Sequence, residues 1–396
     1  MSLRHVPPAA APLAPSDLWH GFVGLLRPAP AIAALEQSLR AELGVEHVFL
    51  VSSGRAGLTL ILRALRRLAD RRRVVVPGYT CFSVAAAVVK ADLDVVPCDL
   101  ELETLDFDYA RLERLLADGD APLCVVPTHL FGLPADMARV RALCRDRGVF
   151  VVEDAAQALG LTTPDGKLGT LGDVGFYSFD RGKNVTSGHG GAIVTRSPEI
   201  ARELAREYAA LASPGLVGRL RTLVETLVLS VLIHPSLFWI PASLPFLRLG
   251  ETVYSTDYPL ERLSGVEAGL LARWRTRARA LNDARARRVE ALRQARPDLV
   301  PARAGACIRL PILCASRQER DRVYGTGRRE GLGFSLMYPA AVMAIRELQG
   351  RLSGGPCPVS EQIAERLVTV PVHPLVSAED AAAIEKVLDG VRRPVH

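Results

Sequence analysis

Gly172-Asp173-Val174-Gly175-Phe176-Tyr177-Ser178-Phe179-Asp180-Arg181-Gly182-Lys183-Asn184 sets an apolar, β-rich run, Val174 to Ser178, ahead of a polar turn that carries one lysine. Followed by the glycine-rich Gly188-His189-Gly190-Gly191, that turn suits a Schiff-base lysine at Lys183. The same alternation extends in both directions. The runs His47 to Val51, Val74 to Val76, Val95 to Pro97, Leu123 to Val126, Val149 to Val152 and Ala192 to Thr195 are separated by helical stretches. This predicts an α/β fold with a mainly parallel, seven-stranded sheet flanked by helices. Ligands collect beyond the carboxyl ends of such strands, so the polar residues after each run are the ones to weigh.

The chain has 396 residues, of which 49% are hydrophobic and 23% charged, enough for one large domain and one smaller one. The first eighteen residues are rich in Ala and Pro and lack a continuous apolar stretch, so they do not read as a secretory signal. Residues 1–29 are expected to be a loose arm and 30–264 a large ligand-binding domain. Beyond about residue 265 an Arg-rich helix leads into Ile308 to Leu313, then Gly331 to Tyr338, then a helix from Ala378 to Leu388. Residues 265–396 are therefore expected to form a smaller α+β domain. Seven scattered cysteines, without a CxxC pair or a His/Cys cluster, point to a reduced, cytoplasmic setting and no structural metal. Several arginines between Arg273 and Arg296 stand at helical spacing, which reads as a solvated helix face. With only Trp274 among them, they do not make a nucleic-acid surface.

Three positions after strands make a coherent set. Ser52-Ser53-Gly54-Arg55-Ala56 follows the first run, and Leu58, Leu62 and Leu65 then recur at helical spacing, so free backbone amides at a helix start are available to a phosphate. A plain N-cap has the same composition. Glu153-Asp154 follows the fifth run and places a carboxylate where a pyridine nitrogen can meet it. Ser178 and Lys183 follow the sixth, one offering a hydroxyl to the phosphate and the other an amine to an aldehyde. Taken together in this order, they describe a site for pyridoxal 5'-phosphate (PLP).

The chain resembles the DegT/DnrJ-type sugar aminotransferases, PLP enzymes of fold type I. The matching stretches are Ser52-Ser53-Gly54, Val76-Pro77-Gly78-Tyr79-Thr80, Pro127-Thr128-His129-Leu130-Phe131-Gly132, Glu153-Asp154-Ala155-Ala156-Gln157-Ala158 and Ser178 through Gly191. Phe334-Ser335-Leu336-Met337-Tyr338-Pro339 and Val370-Pro371-Val372-His373-Pro374 match in the smaller domain. The resemblance implies that Lys183 carries the cofactor as a Schiff base and shuttles the proton, with Asp154 on the pyridinium nitrogen. It places Gln157 beside the ring hydroxyl, and Ser178 with the amides of Gly54 and Arg55 on the phosphate. It further implies an amino acid donor, typically glutamate, a keto-sugar acceptor on a nucleotide or lipid carrier, a role in amino sugar or polysaccharide biosynthesis, and a homodimer with shared sites.

The departures bear on substrate. Arg55 stands where the family has Thr, and its guanidinium meets either an anion or water. Cys81 occupies the position of the ring that stacks on the cofactor. His189 replaces a Glu and, with Tyr338, is a candidate substrate contact. The family's partner-reaching Asn has no equivalent in Tyr258-Pro259-Leu260-Glu261-Arg262-Leu263. From Thr226 to Leu247, 22 positions hold no Asp, Glu, Lys or Arg, yet Pro235, Pro241 and Pro245 interrupt any straight helix. Two readings of this apolar insertion, about 210–256, stay open: a lid over the substrate pocket or dimer, or a peripheral membrane contact through 222–248. Two other functional classes also stand beside the aminotransferase. One is a PLP enzyme with another reaction or a non-sugar substrate; its dehydratase branch has His in place of Lys183. The other is a catalytically impaired regulator.

Overall fold

In a computed structural model that describes residues 4–244 and 252–392, alternate valines of the central strands face opposite ways. Val74 and Val76 pack with Val95, Val126 and Val152 on one side, while Val75 packs with Val96, Val125 and Val151 on the other. Both sheet faces are covered, as continuous apolar strands require. The strands are β1 (His47–Val51), β2 (Arg73–Pro77), β3 (Asp94–Cys98), β4 (Cys124–Val125), β5 (Phe150–Asp154), β8 (Val174–Ser178) and β9 (Gly191–Thr195). Their order is β1-β9-β8-β5-β4-β2-β3. Only β9 is antiparallel to its neighbours β1 and β8; the remaining adjacent pairs are parallel. The short hairpin of β6 (Thr162–Thr163) and β7 (Gly166–Lys167) stands apart from this sheet. Helices Gly54–Leu68, Phe82–Lys90, Tyr109–Ala117 and Met137–Arg145 fill the connections between successive parallel strands, as crossovers demand.

Past the long helix Trp274–Ala295, β10 (Leu310–Leu313) pairs antiparallel with β11 (Leu367–Val370). Helices Arg317–Arg329, Pro358–Arg366 and Ala378–Leu388 complete this part. Leu310, Ile312, Val368 and Val370 share one core with Val75 and Val96 of the large sheet. The extended run expected over Gly331 to Tyr338 is reduced to a single bridge between Ser335 and Thr369. Positive φ angles at Gly331 (70°), Gly333 (73°) and Tyr338 (50°) turn the backbone out of the strand conformation.

Two expectations need correction. Residues 4–29 are not a loose arm. Helix Pro15–Leu26 lies against helix Gly265–Leu270 at glycine contacts so close that a Cβ on Gly24 would stand 1.9 Å from the Gly265 carbonyl oxygen. Ahead of it, Val6, Ala10 and Ala11 are buried, and the Val6 amide bonds the Gly331 carbonyl at 2.7 Å. The Arg-rich helix is not simply a solvated face either, because Arg277 and Arg285 are buried within it.

The described part of the insertion forms helix Leu216–Leu232 and the short helix Trp239–Ala242, and the first ends ahead of Pro235. Among the described residues no helix is long and apolar enough to cross a membrane. Pro245 and Leu247 lie outside the described residues.

Candidate functional site

The carboxyl ends of β5 and β8 and the start of helix Gly54–Leu68 converge. In the β5–β8 register Asp154 stands opposite Phe176, two residues before Ser178, and Ser178 in turn pairs with Gly191 of β9. Gly54 opens the helix against Ser178: a Cβ there would meet the Ser178 Cβ at 3.0 Å. Ser53 caps the helix, its hydroxyl accepting from the Ala56 amide at 3.2 Å. The helix start therefore faces the Ser178 side chain with backbone amides, the geometry that holds a phosphate.

Asp154 is buried, and one of its carboxylate oxygens accepts from the Ala156 amide at 3.0 Å. Burial raises its carboxyl above the ordinary value, against the lowering effect of the Ala156 amide, Lys183, His129 and Thr128. Lys183 is thus within electrostatic reach of Asp154. Among the described residues its amine has neither an ion pair nor a hydrogen bond. Its backbone is held instead. The buried guanidinium of Arg285 donates to the carbonyls of Lys183 (3.0 Å), Asn184 (3.1 Å) and Ala10 (3.0 Å). Arg277 does the same two turns earlier in its helix, donating to the Thr186 carbonyl at 3.1 Å.

Behind Asp154, strand alternation turns Glu153 to the other side, where it accepts from the amides of Gly169 (2.6 Å), Leu171 (2.6 Å) and Gly172 (3.0 Å). His129 lies 2.8 Å from the same carboxylate through Nε2, while its Nδ1 accepts from the Ala135 amide at 3.1 Å. That acceptor role leaves the proton on Nε2, so a fixed neutral tautomer braces the end of β5. In the sequence, His129 and Glu153 stood only as members of the matching stretches Pro127 to Gly132 and Glu153 to Ala158.

Gln157 accepts from the Phe131 amide at 2.8 Å and donates to the Tyr338 hydroxyl at 2.8 Å. Tyr338 is buried, its ring 6.1 Å from Phe131 and 5.5 Å from Tyr79. Its hydroxyl is thereby held by Gln157. Cys81 is half-buried at the start of helix Phe82–Lys90 and accepts from the Ser83 hydroxyl at 3.0 Å. Arg309, missed in the sequence because it sits within an apolar strand pattern, bonds the Ser335 hydroxyl at 3.2 Å and lies within electrostatic reach of Tyr338. Burial lowers its guanidinium to about 10, and no carboxylate pairs with it among the described residues.

The two departures at the rim are resolved differently. Arg55 lies over the Tyr258 ring at 4.6 Å, with Lys90 also over that ring at 4.5 Å. The Tyr258 segment thereby folds onto its own chain, and the Ser52 amide bonds the Glu261 carbonyl at 2.9 Å. His189 is half-exposed, 3.6 Å from Asp180 and 3.7 Å from Glu225 of helix Leu216–Leu232. The Asp180 carboxylate beside it raises its pKa.

These residues fit PLP. A buried carboxyl, an amine without a partner and an amide-lined turn too tight for a side chain at Gly54 supply the three contacts that ring nitrogen, aldehyde and phosphate need. Among the described residues no group of His, Cys, Asp or Glu is arranged for a metal ion.

Known proteins agree with this geometry. A UDP-N-acetyl-3-dehydro-alpha-D-glucosamine 3-aminotransferase from Acidithiobacillus ferrooxidans is 28% identical over 92% of this chain and 88% of its own. A GDP-perosamine synthase from Caulobacter vibrioides is 31% identical over less than half of each, 44% of this chain and 46% of its own. Among solved structures, a DegT DnrJ EryC1 StrS aminotransferase from Brucella abortus covers 91% of this chain and 90% of its own, with a TM-score of 0.71 and 26% identity. A Helicobacter pylori aminotransferase of pseudoaminic acid biosynthesis, 14% identical, shares the fold at a TM-score of 0.76 over 97% of this chain and 98% of its own. A profile of the DegT/DnrJ/EryC1/StrS aminotransferase family matches residues 24–227 and 259–389, which takes in Gly54, Asp154, Gln157, Ser178, Lys183 and Arg309. The chain belongs to the DegT/DnrJ/EryC1/StrS aminotransferase family.

Proposed function

We propose that this aminotransferase moves an amino group from glutamate to a keto sugar joined to a nucleotide or lipid carrier, with PLP as cofactor. The observation that carries this reading is the convergence of a buried Asp154, a partnerless Lys183 amine and the Gly54/Ser178 cradle. PLP, when bound, supplies an electron sink for the substrate carbon. Asp154 would keep the ring nitrogen protonated, because its buried carboxylate is better stabilised with a cation than alone. Ser178 and the amides of Gly54 and Arg55 would hold the phosphate. Lys183 Nζ would take the proton from the donor α-carbon and deliver it to the neighbouring carbon, then reverse the transfer for the acceptor. Arg309, a cation without a carboxylate beside Tyr338, is suited to the donor's carboxylate. The nitrogen gained by the sugar equals that lost by glutamate, which leaves as the keto acid.

The relatives' sugar substrates support a role in amino sugar or polysaccharide biosynthesis. We infer a homodimer in the cytoplasm, with the Tyr258 segment holding its own subunit where the family's Asn would reach across.

Glutamate added to the purified, PLP-loaded protein should shift the cofactor's visible absorbance, and Lys183→Ala should not respond. A spectrum unmoved by glutamate or any other amino acid would overturn the reading.

A further inference from the structure

Helix Leu216–Leu232 has two sides with different tasks. One meets the lysine turn: Glu225 lies 3.7 Å from both His189 and Arg181, and a Cβ on Gly188 would stand 3.0 Å from the Thr226 hydroxyl. The other carries Val217, Leu220, Val224, Leu227 and Val231, all exposed, in a stripe of alternating three- and four-residue steps. Val217 is 81% accessible, an unusual position for so apolar a side chain. The N-terminal helix Pro15–Leu26 packs beside it through Leu18 and Leu25 against Leu223. It adds a second exposed stripe, Trp19 (62%), Phe22 and Leu26 (65%), with the Trp19 and Phe22 rings 5.7 Å apart. Trp239 is exposed on the short helix that follows.

We propose that this face docks the protein on an anionic lipid bilayer. Charge favours that occupant. Asp17 is buried and Glu225 is turned toward His189 and the arginines, so neither helix exposes a free carboxylate. Exposed Arg27 ends the first helix, and Arg219 and Arg221 lie along the second. The adjoining run from Thr226 to Leu247 has no charge, and Arg248 follows it. An apolar stripe with tryptophans and a basic margin is the composition of a helix lying in the membrane interface. A second copy of the chain fits less well. The family profile begins at residue 24 and breaks between 227 and 259. Trp19, Phe22, Val228, Val231 and Trp239 fall outside that match, so the aromatic part of this face is the chain's own, while Leu26, Val217, Leu220, Val224 and Leu227 lie within it. Because the opposite side of the same helix touches the lysine turn, docking sets the site about one helix diameter, roughly 10 Å, from the lipid.

Flotation tests this without reference to catalysis. The full-length, PLP-loaded protein is mixed with vesicles of phosphatidylcholine, with or without phosphatidylglycerol, and spun through a density gradient. We expect the protein to float with phosphatidylglycerol vesicles. The double variant Val224→Glu, Val228→Glu should lose at least about tenfold of that binding, since a charge in the apolar stripe opposes insertion. Its elution volume and its cofactor absorbance should stay those of the parent, which shows that the fold survives. A parent that floats with neither vesicle overturns the proposal. So does a variant that floats as the parent does, or one that fails to float only because it elutes as a smaller species, which assigns the face to a second copy.

Discussion

Arg285 Nη2 donates to the carbonyl of Lys183 at 3.0 Å across 102 residues of sequence. The lysine turn is thus held by a buried cation from the long helix Trp274–Ala295, which also holds Asn184 and Ala10. Arg285→Met should lower stability by about 2 kcal/mol or more, because buried carbonyls are left without their donors. It should also reduce kcat with little change in donor KM. Arg285→Lys, which keeps the charge but not the planar fork, should recover part of both. Denaturant midpoints and steady-state kinetics together check this; a stability loss with kcat intact would make Arg285 merely structural.

Gly54→Ala puts a methyl 3.0 Å from the Ser178 Cβ, inside the usual carbon contact distance. PLP affinity should fall about tenfold, or about 1.4 kcal/mol, with little change in global stability. Equilibrium titration of the cofactor measures it, and equal affinity would remove Ser178 from the phosphate cradle.

Tyr338→Phe removes the acceptor of Gln157 Nε2. A buried amide donor without a partner costs roughly 1–3 kcal/mol, so the melting temperature should drop while acceptor KM stays within about twofold. The reverse pattern would assign Tyr338 the direct substrate contact expected from the sequence.

Arg309→Gln should raise donor KM by about tenfold or more and leave PLP affinity unchanged, since loss of a charge-assisted contact to a carboxylate falls on the donor alone. Half-reaction titrations with glutamate check it.

His373 donates from Nε2 to the Pro7 carbonyl at 2.7 Å and is buried among Arg285, Arg288 and Arg309. Desolvation by burial is the largest cause that lowers its pKa, to about 3. The unfolded imidazole titrates near about 6.5, so below that pH the unfolded chain binds a proton that the folded one refuses. The contribution is complete above about pH 6.5 and is lost as the pH falls toward 3, with a slope of up to about 1.4 kcal/mol per pH unit. His373→Gln keeps a donor and lacks the titration. Its urea midpoint should therefore fall less steeply than the parent's between about pH 6.5 and 5.

The strands were legible because β-branched residues crowd both faces of a covered sheet: Val74 to Val76 and Val149 to Val152 have few alternative uses. Asp154, Ser178 and Lys183 were legible because each follows such a run. Arg277 and Arg285 were not, since their burial depends on which turn of a distant loop has carbonyls in need of N–H donors, and local composition around them is that of a wet helix. The N-terminal arm was opaque for a related reason. Ala and Pro carry no periodicity, and its order comes from partners far along the chain at Gly331 and His373. The apolar insertion announced itself by missing charge, but only the fold shows that its first helix divides into one side for the lysine turn and another for the exterior.

The single reversed strand, β9, has a consequence for how this site can vary. Because β8 returns directly as β9, the lysine rides on a hairpin whose two feet, Ser178 and Gly191, are locked opposite each other. The lateral offset of Ser178 from Asp154 is then set by the spacing of neighbouring strands, about 4.8 Å, while Arg285 holds the lysine turn beyond the strand end. Chain can be added at the rim, as between residues 227 and 259, without moving the reacting groups. Reach and substrate are thereby free to diversify while the chemistry keeps its dimensions.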